Sequence, residues 1–120
     1  MRPLHELLAP AGDWHTLNAA LEAGADAVYL GVKGFNMRAS AKNFSTRDLP
    51  KVAGVCHERK ARAYLAVNTL VFEREIKALH ALLVAAKKAG IDGIIASDFA
   101  VISEATRLGL DVHASTQMSV

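Results

Sequence analysis

Between Asp26 and Asp48 the chain carries no acidic residue, while Lys33, Arg38, Lys42 and Arg47 supply cations. Asn36, Ser40 and Asn43 add amide and hydroxyl donors, and Phe35 and Phe44 offer apolar anchors. Such a stretch suits an anion, whether carboxylate, phosphate or nucleic-acid backbone, because ammonium and guanidinium groups make charge-assisted hydrogen bonds. Arg38 is the foremost candidate, since its planar fork can hold an oxyanion through two parallel bonds; Lys33 and Lys42 would act as point charges. The competing reading is a solvated basic loop.

A second set of polar residues falls where apolar runs end. Asn68 closes the run Ala63–Val67, and strand alternation puts it on one face with Tyr64 and Ala66. In the run from Val112, His113, Ser115 and Gln117 share a face if the chain stays extended. Polar groups there are hard to explain as core, because buried polar atoms need partners. Ser115 and Gln117 are therefore candidate ligand contacts, while His113 is equally well read as an interior histidine with a partner. Asn68 can also be read as a turn residue. Cys56 is expected to be a small buried hydrophobe. His5, His15, His57 and His80 show no metal-ligand spacing, so no metal site is expected. Asp98 reads as a helix cap.

The elements that must carry these residues are marked by a recurring phrase. Gly24-Ala25-Asp26, Gly90-Ile91-Asp92 and Gly109-Leu110-Asp111 each follow a helical pattern and precede an apolar run. Glycine suits the left-handed position that ends a helix, and the short turn returns the chain as a parallel strand. Strands are expected near 6–9, 27–31, 63–67, 93–96 and 112–115. Helices are expected after Asp13, after Asp48 with Pro50 in the first turn, from about Glu73 to Ala89, and after Ser97 or Asp98. Ile76, Leu79, Leu82, Leu83 and Ala86 should form the buried side of the third helix. The fold class is α/β: parallel (β/α) units forming the first half of a TIM-type barrel, with strands 1–5 in order and helices outside. A doubly wound sheet is the runner-up, but neither G-x-G-x-x-G nor a P-loop is present. All 120 residues read as one N-terminal half-barrel domain of a longer protein. Its open edge strands would favour self-association.

Apolar residues make up 52% of the chain and the formal net charge is only +2, so charge alone does not mark a nucleic-acid binder. No run approaches the ~20 apolar residues of a membrane span and the start lacks a signal-peptide core, which makes the cytoplasm the expected compartment. A single cysteine rules out an internal disulfide and a four-thiolate cluster made by this chain alone.

The ordered set Glu6-Leu7-Leu8-Ala9-Pro10-Ala11-Gly12, Gly24–Gly31, Phe35-Asn36-Met37-Arg38-Ala39, Asn43-Phe44, Asn68-Thr69 and His113-Ala114-Ser115-Thr116-Gln117 resembles the N-terminal part of the collagenase-like peptidase family U32. The resemblance implies a parent enzyme of one of two kinds. Some members are described as collagenases. Others hydroxylate a tRNA uridine, a ribosomal cytidine or a ubiquinone precursor, with an iron–sulfur cluster on four downstream cysteines. It places pocket residues at Arg38, Asn43, Asn68, Ser115 and Gln117, with an anionic small molecule or RNA as partner. The expected function is hydroxylation or modification of RNA or a quinone precursor by the parent. Peptidase activity is the alternative, although no nucleophile–base pair is apparent. The 120 residues alone are expected to be inactive and to hold no cofactor.

Overall fold

A computed structural model describes residues 7–32, 44–67 and 76–114. The recurring turns shape it. Gly24, Gly90 and Gly109 have φ of 89°, 90° and 80°, a region that residues with a Cβ avoid. At each turn an amide reaches back five residues, from Ala25 to the Ala20 carbonyl, from Ile91 to Ala86 and from Leu110 to Ala105. A fourth copy has no glycine: Lys60 takes the left-handed position at φ 59°, and Ala61 donates to the Cys56 carbonyl.

Each turn delivers a strand. In chain order the elements are β1 Leu8–Pro10, α1 Trp14–Glu22, β2 Ala27–Leu30, α2 Leu49–Glu58, β3 Arg62–Val67, α3 Ile76–Ala89, β4 Gly93–Ala96, α4 Phe99–Arg107 and β5 Val112–Ala114. The five strands form one sheet in the order β1-β2-β3-β4-β5, and every neighbouring pair is parallel. This is the expected half-barrel order. Residues of all four helices pack with the sheet in one core cluster, as the right-handed rule for sequential parallel strands predicts.

Two aspartates of the recurring phrase fasten neighbouring strands. Asp26 Oδ2 accepts from the Leu7 amide at 2.8 Å. Asp92 Oδ2 accepts from the Ala63 amide at 2.8 Å. Caps are as expected for α1, where Asp13 Oδ1 accepts from the Thr16 amide, and for α4, where Asp98 Oδ1 accepts from the Ala100 amide. Asp48 precedes α2 as expected, but its carboxylate closes the turn before the helix rather than capping an α2 amide. Ser45 donates through its amide and its hydroxyl to Asp48 Oδ2 across a 3-10 turn, Thr46–Asp48, and Pro50 then sits in the first turn of α2.

The helix-facing side of the sheet is the core. Val28, Leu65 and Ile94 are fully buried there against Leu17, Val52 and Leu83. Ile76, expected on the buried side of α3, is 38% exposed because it opens the described helix one turn before the packed stripe begins at Leu79. The expected start of α3 at Glu73 lies outside the described residues.

Helices α3 and α4 are clasped at two points. Lys87 Nζ donates to the Leu108 carbonyl at 2.5 Å, satisfying a carbonyl at the end of α4. Glu104 binds His80 Nδ1 and accepts from Arg107 Nη2 at 2.7 Å. Hydrogen bonds from Arg107 and then from His80 hold the Glu104 carboxyl below its ordinary 4.5. A carboxyl whose folded pKa is depressed stabilises the fold fully above its unfolded value and ceases to as pH falls through the folded one. The urea midpoint is therefore expected to fall on acidification below pH 4.5, and Glu104→Gln should flatten that part of the profile.

Candidate functional site

Parallel strands bring all their C-terminal ends to one edge, where barrel enzymes build their sites. The residues that flank the basic stretch 33–43, Val32 and Phe44, stand at that edge. They pair by a parallel bridge and are 1% and 2% exposed. The Phe44 ring meets Trp14 edge-on at 5.1 Å, and Lys51 Nζ lies 5.4 Å from the centre of the Trp14 ring. Phe44 is thus the apolar anchor expected of it. Lys33, Arg38, Lys42, Asn43, Asn68, Ser115 and Gln117 lie outside the described residues. Their chain neighbours Val32, Phe44, Val67 and Ala114 all stand at the strand C-terminal edge.

Below that edge, strand register defines rows on the face opposite the helices. Ala66, Ile95 and His113 form the last such row before the strands end. Pro10, Tyr29, Tyr64 and Gly93 form the row beneath. His113, one reading of which was a partnered interior residue, is exposed, and its ring meets Tyr64 edge-on at 5.1 Å. The Tyr64 hydroxyl in turn accepts from Arg62 Nη1 at 3.3 Å. At the start of α4, Phe99 is 83% exposed at the same edge as Asp98.

Titratable pairs that spacing did not reveal lie elsewhere. His57 Nε2 is 2.8 Å from Asp92 Oδ2, immediately before β4 and so at the opposite end of the sheet. The partners are 35 residues apart, which is why no local motif announced them. His80 and Glu104 sit in the outer helical layer. Cys56 is fully buried in α2, and burial first, with the Asp92 charge second, pushes its thiol up to about 11. A thiol held protonated is a poor nucleophile and a poor metal ligand. Among the described residues no group of three or more His, Cys, Asp or Glu is placed to hold a metal ion, so they do not fit an iron–sulfur site. No helix among them is long and apolar enough to cross a membrane.

The sequence profile of peptidase family U32 matches residues 12–120. A protein named collagenase from Porphyromonas gingivalis is 46% identical over 96% of this chain and 28% of its own length. The tRNA hydroxylation protein P1 of Bacillus subtilis is 32% identical over 96% of this chain and 28% of its own. The chain thus spans under a third of these curated relatives. A solved structure of the U32 peptidase Mk0906 superposes with a TM-score of 0.71 at 16% identity, covering 100% of this chain and 53% of that one. At that identity the likeness speaks for the fold.

Proposed function

The chain belongs to peptidase family U32, and from that premise we propose that the protein containing it hydroxylates RNA, with these residues forming the first half of its barrel. One observation favours this over peptide hydrolysis. Among the described residues, three groups that could serve acyl transfer serve the scaffold instead: the Cys56 thiol is buried and raised to about 11, His57 and Asp92 pair at the opposite end of the sheet, and His80 and Glu104 clasp two helices. The basic stretch 33–43 is instead flanked by Val32 and Phe44 at the strand C-terminal edge, and its cations suit phosphate or carboxylate. The likeness to the tRNA hydroxylation protein over 96% of the chain agrees.

Here the chain's own part is binding and orientation. Arg38, Lys33 and Lys42 would grip an anionic group, with Asn43, Asn68, Ser115 and Gln117 donating and accepting hydrogen bonds around it. An iron–sulfur cluster, if the parent uses one, would be held by cysteines beyond these residues. The outward edges of β1 and β5 would pair with the remaining strands of the barrel.

The test is to produce the full-length protein in anaerobically grown cells whose RNA lacks the modification, where metabolism supplies the oxygen donor and the electron acceptor, and to digest that RNA for mass spectrometry. The expected result is a pyrimidine carrying one added oxygen. A second reading, peptidase, is favoured by the 46% identity to a protein named collagenase. Cleavage of gelatin with no change in the RNA would establish that reading and defeat the first.

A further inference from the structure

We infer that His113 is a ligand-contacting residue on the floor of the strand-end site, where it holds an oxyanion, carboxylate or phosphate, and that Tyr64 sets its ring.

The placement is specific. His113 belongs to the last row on the open face before the strands end, and its row-mates Ala66 and Ile95 are apolar. Its side chain is exposed, and among the described residues neither ring nitrogen has a hydrogen-bond partner. A histidine serving only as packing against Tyr64 would gain nothing that leucine or phenylalanine lacks, and would leave two polar atoms unsatisfied wherever the face is covered. An oxyanion satisfies one of them.

The brace is equally specific. Tyr64 lies on β3 and His113 on β5, with β4 between them. The Tyr64 ring reaches across because residue 93 has no side chain: a Cβ there would stand 3.0 Å from both Cδ1 and Cε1 of Tyr64 and 3.2 Å from the Asp111 carbonyl oxygen. Its ring then meets the imidazole at an interplanar angle of 78°. Among the described residues, the charged and titratable groups on this face around His113 are Tyr64 and Arg62 of β3, Tyr29 of β2 and Asp111, two residues before it. The ligand class deepens the reading above, but the placement of His113 does not depend on RNA being the substrate.

The test uses full-length protein with histidine rings selectively labelled with carbon-13, the His113 signal being identified by its loss in His113→Gln. Inorganic phosphate and malonate are titrated separately. A saturable shift of the His113 signal is expected, with phosphate alone, malonate alone or both naming the oxyanion. Tyr64→Ala should weaken the apparent affinity about tenfold, the weight of one misplaced charged hydrogen bond, while Tyr64→Phe retains it. Should Tyr64→Ala not fold, Gly93→Ala displaces the same ring and should weaken binding in the same sense. A His113 signal indifferent to both anions overturns the inference, as does affinity unchanged when the Tyr64 ring is removed or displaced. An intact anion response in a protein that leaves RNA unmodified would defeat the hydroxylase reading and leave this one standing.

Discussion

Leu65→Ala is expected to lower the unfolding free energy of the full-length protein by about 2–5 kcal/mol, the range for a leucine truncated inside a packed core. Leu65 lies at the centre of the middle strand, in register with Leu30 on one side and Ile94 on the other. It is fully buried, as are Val52 of α2 and Leu83 of α3 in the same core cluster. The neighbours are held by strand pairing on both sides, so they can close only part of the cavity. A urea titration monitored by circular dichroism reads the effect. Leu65→Met, which roughly conserves volume, should cost less than ~1.5 kcal/mol. Equal losses from the two variants would show that the site is not close-packed.

On the proposed RNA-modifying reading, Arg38→Ala should weaken RNA binding by about 1.5–3 kcal/mol, the worth of a hydrogen bond to a charged group. Arg38→Lys should recover only part of it, because an ammonium keeps the charge and loses the fork. Arg38 follows Val32, whose bridge to Phe44 fixes the base of the loop at the strand C-terminal edge. Fluorescence anisotropy of labelled RNA with the full-length protein measures both variants. If the loop is merely a solvated basic segment, neither substitution changes the affinity.

The strand order was legible because the Gly-X-Asp phrase does two jobs that leave a mark in the sequence. The glycine ends a helix with positive φ, and at two of the three turns the aspartate carboxylate accepts an amide of the preceding strand. Where the same geometry is achieved without that chemistry, the strand was legible from its apolar run but the turn was not: Lys60 adopts φ 59°, and nothing in Arg59-Lys60-Ala61 signals it. Cys56 was legible as core from its helical position. The pairs His57–Asp92 and His80–Glu104 were not, since only the packing of distant elements brings them together. The Tyr64–His113 contact escaped for a related reason. Alternation places both on one face, but the reach across β4 depends on Gly93, whose role shows only once the strands are in register. The loop and strand-end residues chosen from sequence lie outside the described residues, and their edge of the sheet is defined by their neighbours.

The aspartate fastenings also bear on the order of assembly. Asp26 ties β2 to β1, and Asp92 ties β4 to β3, each through a contact with the strand made just before it. From β2 onward each strand pairs with the one made just before it, so these four pairings need no distant chain. Local pairing of this kind keeps contact order low for a parallel sheet, an architecture otherwise slow to form. On the ribosome, β1 and β2 can pair once Leu30 has emerged, and each later strand adds to an edge whose register the previous one has already set.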